Sequence, residues 1–429
     1  AMLAAAAAIS YLARVGFSPA ASTIQRELNL SDPQFGYVLG GFYMGYVWSQ
    51  IPGGWLGNRW GARLTLALLS LLWSSALLIS IVAQSYEVLY ASRIAVGLAQ
   101  GGLFPIVARV IADWFPENRR GTASAFPTAF MSLGAVLAQG LTAQLMPFLG
   151  WRRVFEAYAA LGVLWGLAFL FWFRNRPEEH PAVNKAECAL IRAKAVNALP
   201  DLPPEPAQPF GWSTVLALVT SVGMWAHCLQ QIFRSYVHAF YFTSFPAYLE
   251  RCYHVKVASA GTLSMLPLAA VVAGSMLGGM LVDLVLSRTG SRWFSRSGLS
   301  ALSLVLCAGA TAAAAFAPDA LTAVIIISAG LFCFGLTGPT TWAVSMDIGG
   351  AHCALVFAIM NMAGNLGAIA SPIEAGYLME YIVKNNRSWG ILLLRNAAVA
   401  IAGAVAWLFL NPNRSAVERR PARQGPARP

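Results

Sequence analysis

The sequence predicts an all-α membrane protein of twelve spanning helices, arranged as two six-helix bundles related by pseudo-symmetry. Three observations carry that prediction. First, the 429 residues are 57% hydrophobic and only 11% charged, whereas a soluble domain is nearer a quarter charged. Second, apolar runs recur twelve times, each near or above the roughly 20 residues a helix needs to cross hydrocarbon. Third, the two halves echo each other. GGWLGNRWGAR (Gly53–Arg63) follows the second run, and GGMLVDLVLSRTG (Gly278–Gly290) follows the eighth, its counterpart in a six-plus-six plan. Repeats at corresponding positions are how many transporters are built.

In order, the runs fall near 2–24, 35–57, 64–83, 87–113, 121–147, 151–173, 222–247, 259–286, 298–317, 320–346, 352–382 and 388–410. The first is expected to be a spanning helix and not a cleaved signal, because no small-residue cleavage site follows it. A polar stretch separates the sixth and seventh runs. The predicted layout is therefore an N-terminal bundle at 1–173, a linker at 174–211, a C-terminal bundle at 212–410 and a basic tail at 411–429.

The net charge of +11 is topology information in such a chain, not a sign of nucleic-acid binding. Arg59 and Arg63 follow the second run, Arg119 and Arg120 the fourth, and Arg174 and Arg176 the sixth. Arg288, Arg292 and Arg296 follow the eighth, and five arginines lie in the tail. Arg152, Arg153, Arg251 and Lys256 blur the contrast on the other side. The bias predicts a multi-pass protein of the cell (inner) membrane with both termini and the linker in the cytoplasm. The six cysteines show neither a disulfide framework nor a metal spacing, and no cofactor is called for.

The stretch Arg93–Gly121 is the most informative. It opens with an arginine at the head of an apolar run, and a guanidinium in hydrocarbon costs several kcal/mol unless it faces a bundle interior or wet cavity. Gln100 returns to the same face two turns later, and Gly97 and Gly101 form a GxxxG pair that lets another helix approach closely. Arg14 lies midway along the first run, with Ser10 and Ser18 a turn to either side and Pro19 beyond. Either arginine is an anion site or an internal ion-pair partner, and carboxylates are nearly absent from the first half's spans. In the seventh run His227, Gln230, Arg234 and His238 fall on one stripe.

These segments resemble the major facilitator superfamily, and within it the anion:cation symporters, which carry sugar acids and other organic anions. The likeness rests on Ser10–Ser22, Gly45–Arg63, Arg93–Gly121, Gln230–Tyr236, Thr340–Gly350, Met360–Pro372 and the linker segment RNRPEEHPAVNKAE. It implies alternating access, with Arg14 on the substrate carboxylate and Arg93 and Gln100 close to the central cavity. Tyr46, Ser345, Asn361 and Asn365 would meet hydroxyls, and Trp342 would form an apolar wall. The ordinary reading of each is packing or helix–helix glue. Arg59 and Arg63 with Asp283 and Arg288 are expected to brace cytoplasmic helix ends as a gate. Asn58 stands where the family usually has aspartate, which loses a charge-assisted bond.

The chain departs from the resemblance in coupling. Where proton-coupled members carry an aspartate and a glutamate, this sequence has Ala13 and Gln100. A facilitator or an anion exchanger is therefore expected, with proton symport through His238 and its neighbour Arg234 as the alternative. The expected partners are a small organic anion, protons or a counter-anion, and the lipid bilayer, with the protein acting as a monomer. A membrane-embedded enzyme would need a histidine–carboxylate constellation, and only Glu374 and Glu380 are offered. A non-transporting sensor is the third possibility, against which the loop signatures in both halves speak.

Overall fold

The computed structural model describes residues 1–115, 120–192, 212–349 and 353–413, without the side chains at 58, 112, 120–122, 124, 125, 128, 192, 212–215, 353 and 354. Arg119, the side chain of Arg120, most of the proline-rich linker and the arginines of the tail lie outside the described residues. Among those described, the secondary structure is helical and no strand occurs.

Among the described residues there are sixteen α-helices, fifteen in the two predicted bundles and one in the linker. The first run is α1 (Met2–Val15) and α2 (Ala21–Leu28), parted at Gly16–Ala20. Pro19 cannot donate the backbone bond that would carry the helix through. Helix α3 (Asp32–Val82) holds the second and third runs and bends at Gly61, where φ is +79°. A Cβ there would collide with Asn175, so the loop signature needs glycine at this corner on two counts. Ser31 starts α3 with a capping box: its Oγ accepts from Gln34 N at 3.3 Å, and Gln34 Oε1 accepts from Ser31 N at 2.9 Å. The fourth run divides into α4 (Tyr86–Gln100) and α5 (Leu103–Trp114). Helix α6 (Arg120–Trp172) holds the fifth and sixth runs and turns at Gly150, φ +74°.

A short α7 (Lys185–Arg192) begins the linker. A further helix, α8 (Trp212–Thr220), precedes the seventh run, which is expected at 222–247 and is α9 (Val222–Thr243) with the first residues of α10 (Phe245–Tyr253). Ser221 caps α9 by accepting from Met224 N at 3.3 Å. The remaining elements are α11 (Val257–Leu263), α12 (Met265–Thr289), α13 (Leu299–Ala314), α14 (Ala320–Gly349), α15 (Cys353–Lys384) and α16 (Gly390–Leu408). Eight helices in the described residues are long and apolar enough to cross a bilayer, one of them the 44-residue Ala129–Trp172 that turns at Gly150.

In the first half α1 packs on α6, and α3 on α4, α5 and α6; in the second, α12 packs on α14, α9 on α15 and α16, and α13 on α14 and α16. The α3–α4 contact is the close one that the GxxxG pair predicts. A Cβ at Gly97 would strike the Phe42 carbonyl, and one at Gly101 the Ser49 hydroxyl. The halves meet along two seams, α3 on α15 and α6 on α11 and α12. These are the second span against the eleventh and the fifth against the eighth, pairs that a two-fold exchange of halves interconverts.

Polar contacts between the halves gather at one end of the molecule. There Ser18 Oγ donates to Thr243 O at 2.7 Å and Gln139 Nε2 to Phe242 O at 3.1 Å. Arg251 holds Asp32 through both guanidinium nitrogens at 2.6 and 2.5 Å and reaches Gln25 Oε1 at 3.3 Å. Gln144 Nε2 donates to Thr262 Oγ1 at 2.8 Å. Beside this end Glu27 accepts from Trp151 Nε1 at 2.6 Å and pairs with Arg152. Those bonds, the Trp151 one foremost, hold its carboxyl below the usual glutamate range.

Candidate functional site

Two arginines approach the space between the halves from opposite sides. Arg14, on α1, has its Cζ 4.5 Å from the Phe42 ring centroid, 4.6 Å from Tyr43, 5.1 Å from Tyr11 and 5.4 Å from Tyr46. These rings come from α1 itself and from one face of α3, where residues three and four apart stack. Arg14 Nη1 donates to Tyr11 Oη at 3.3 Å, and its Nε is buried with no hydrogen-bond partner. Among the described residues no carboxylate pairs with Arg14, Arg93 or Arg234. A ring face stabilises a guanidinium but leaves its in-plane donors free for an anion.

The α9 stripe reaches toward α14. Arg234 Nε donates to Thr337 Oγ1 at 2.9 Å, and its guanidinium lies 4.9 Å from the Phe334 centroid. His238 stacks on the same Phe334 at 5.6 Å and meets Phe242 edge-on at 4.2 Å. It lies within electrostatic reach of both Arg234 and Arg14. Arg14 with Tyr46 in the first half and Arg234 with His238 in the second are thus two clusters close enough for His238 to feel both arginines.

Other expected residues stand apart from it. Arg93 is 1% exposed and gives two donors to α1, Nη1 to Ala13 O at 3.3 Å and Nη2 to Arg14 O at 3.1 Å, while its Nε, like that of Arg14, is buried with no hydrogen-bond partner. Its guanidinium also lies 4.2 Å from the Phe17 ring. Gln100 Nε2 donates to Ser10 O at 3.2 Å, one helical stretch further along the same pair of helices. Both side chains brace α4 against α1. The broken backbone near Gly16 explains why: carbonyls at the end of α1 have no intrahelical donor, and Arg93 supplies one. Ser345 is buried with its Oγ at 2.8 Å from His227 Nε2, and Gln230 Nε2 lies 3.2 Å from His227 Nδ1. Trp342 is 58% exposed and stacks on Phe357 at 3.8 Å. Asn365 Nδ2 donates to Asn361 O at 2.8 Å, and Asn361 Nδ2 crosses the seam to Gln50 Oε1 at 3.1 Å.

The loop signatures also work differently from the expected shared brace. Arg63 Nε donates to Leu170 O at 2.7 Å and its N–H to Asn175 Oδ1 at 2.9 Å, while Arg59 lies over Trp55. This ties the Gly61 corner to the end of α6, inside the first half. Asp283 and Arg288 are exposed, and no bond among the described residues joins them to Arg59 or Arg63. In the second half the brace is Asp347, which pairs with Arg296 at 3.1 Å and Arg292 at 3.9 Å. Sequence reasoning passed over Asp347, Gln50 and Gln139. It also passed over the cluster in which Tyr236 donates to Glu374 while Arg395 lies 5.0 Å from the Tyr236 ring. Each is a partnership between residues far apart in the chain, and spacing does not reveal those. Glu380 pairs with Lys384 at 2.5 Å. Neither glutamate meets a histidine, and no group of three metal-ligating side chains occurs among the described residues.

Two helical halves packed along exchangeable seams, with an arginine cluster in each, define a membrane carrier and not an enzyme. The chain belongs to the Major Facilitator Superfamily, whose profile matches residues 3–372 and again 228–429. It is 31% identical to a probable galactarate/D-glucarate transporter of Bacillus subtilis over 425 residues, 95% of this chain and 90% of that one. It is 29% identical to a probable sulfoacetate transporter of Cupriavidus necator, covering 94% and 91% of the two chains. Among solved structures it is similar to a bacterial homologue of the human lysosomal transporter Spinster, inward-facing and unoccupied. That match has a TM-score of 0.77 at 18% identity, over 95% of this chain and 93% of the other. The likeness extends to a D-xylose–proton symporter, TM-score 0.74 at 15% identity, covering 96% and 97%.

Proposed function

We propose that this protein carries small organic carboxylates, of the sugar-acid kind for which its relatives are named, by alternating access across the cell membrane. The observation that supports this most is Arg14: a guanidinium enclosed by four aromatic rings, with an orphaned Nε and, among the described residues, no carboxylate partner. A bidentate carboxylate completes such a group better than any side chain nearby. Arg234 faces it from the other half, so an anion held between them is in contact with both moving bodies. Tyr46 supplies a hydroxyl beside Arg14. With both termini placed in the cytoplasm by the arginine bias, the end closed by Asp32 and Arg251 is the outside.

The relay positions on α1 and α4 hold Ala13 and Gln100, neither of which exchanges protons. Gln100 is moreover occupied in bracing α1. Exchange or facilitated diffusion therefore follows for this half of the site.

The test is a thermal-shift panel of organic acids on purified protein. A ligand at 100 times its Kd adds about 2.7 kcal/mol. Arg14→Lys should lose that stabilisation although it keeps its charge, because an ammonium lacks the planar fork. A lysine variant stabilised as well as the parent would place the carboxylate elsewhere.

A further inference from the structure

The seam between α3 and α15 contains a pair of amides that no expectation joined. Gln50 lies one turn beyond Tyr46 on α3, so it shares the face that Tyr46 presents toward Arg14. Its Oε1 accepts from Asn361 Nδ2 at 3.1 Å, across the boundary between halves. Its Nε2 is buried and has no hydrogen-bond partner. Asn361 is in turn steadied by Asn365, whose Nδ2 donates to the Asn361 carbonyl. Among the described residues this is the one polar bond between halves outside the Ser18–Arg251 end.

A buried donor left unmade costs about 1–3 kcal/mol. The site carries that cost while the two amides hold each other. A hydroxyl removes it, because one O–H group both donates and accepts. Inserted at the seam, it can give its proton to Gln50 Oε1 and receive from Gln50 Nε2 or Asn361 Nδ2. A carboxylate cannot do the first, and a methylene can do neither.

We propose that Gln50 is a specificity residue, with Asn361 as its partner. Together the two amides read substrate hydroxyls, and a hydroxyl-bearing anion replaces the amide–amide bond that ties α3 to α15. This rests on the organic-anion reading above and deepens it. The preferred substrate class is then a polyhydroxylated acid, with discrimination against the same carbon chain lacking hydroxyls. The bond being replaced joins the two halves, so recognition of the hydroxyl also frees the seam that must shear during turnover.

The experiment compares two six-carbon diacids that differ only in hydroxylation, galactarate and adipate, in proteoliposome counterflow. The parent should favour galactarate in kcat/KM. Gln50→Met, which keeps side-chain length and apolar packing, should lower the galactarate-to-adipate ratio by about tenfold or more. An unchanged ratio overturns the role of Gln50. If the parent moves neither acid nor any other carboxylate, the organic-anion reading itself fails, which is a different result. Should Gln50→Met not fold, thermal shifts of the parent decide. Galactarate should stabilise it at concentrations where adipate does not, and equal stabilisation overturns the proposal.

Discussion

Arg93 and Arg14 show how one residue type takes two roles within a few ångströms. Both are arginines on apolar helices, and the chain alone marks both as anion candidates. In the folded protein Arg93 gives Nη1 and Nη2 to the carbonyls of Ala13 and Arg14, whereas Arg14 meets four ring faces and donates to the Tyr11 hydroxyl; the Nε of each is buried without a hydrogen-bond partner. What separates them is the break in α1 after Val15, which leaves carbonyls for Arg93 to satisfy. Arg93→Ala should therefore lower the melting temperature of the ligand-free protein, two charge-assisted bonds being worth about 3 kcal/mol together. The remaining folded protein should still be stabilised by substrate. An Arg93→Ala protein as stable as the parent but blind to every anion would make Arg93 a substrate ligand after all.

Among the elements, α3 and α10 matter most for movement, because Asp32 and Arg251 join them across the halves. Asp32 is the first residue of α3, where a carboxylate also favours the helix N-terminus. The side chains are 14% and 26% exposed, between the surface pairs worth little and the buried pairs whose rupture is costly. Asp32→Asn should therefore weaken the closed end by about 1–2 kcal/mol, which shifts the balance of states by roughly tenfold. The measurement is labelling of Ser18→Cys by an impermeant maleimide from outside, with the native cysteines replaced. Labelling should quicken when Asp32→Asn is added; an unchanged rate would mean that the pair does not hold the gate.

At the level of the whole molecule, the spans were legible because a bilayer imposes a length on apolar segments, and twelve runs become twelve membrane-crossing units. The GxxxG pair and the Gly61 corner were legible for a similar reason: small residues in a helix announce close neighbours and sharp turns. The break at Ser244 within the seventh run was not, nor was the one at Ser221 just before it, since a serine in an apolar stretch looks like any buried hydroxyl whether it caps a helix, as Ser221 does, or not. The site was half legible. Arg14 and Tyr46 do come together, as do Arg234 and His238, but Ser345 is taken by His227 and Asn361 by Gln50. Those partners sit 118 and 311 residues away, beyond the reach of any periodicity.

That no carboxylate among the described residues pairs with Arg14 or Arg234 also has an electrical side. An unloaded carrier bears uncompensated positive charge at its centre, and each charge moved through 100 mV changes the energy by up to about 2.3 kcal/mol. An inside-negative potential thus holds the empty carrier facing the cytoplasm, while a bound dianion offsets the two guanidinium charges and lets the loaded form turn freely. Net uptake, which needs the empty carrier to return outward, should slow as an imposed potassium-diffusion potential grows more negative inside. One-for-one counterflow should ignore it. Equal voltage sensitivity of the two modes would show that the charge is balanced elsewhere. Otherwise the membrane potential acts as a ratchet on the vacant protein and slows net uptake relative to one-for-one exchange.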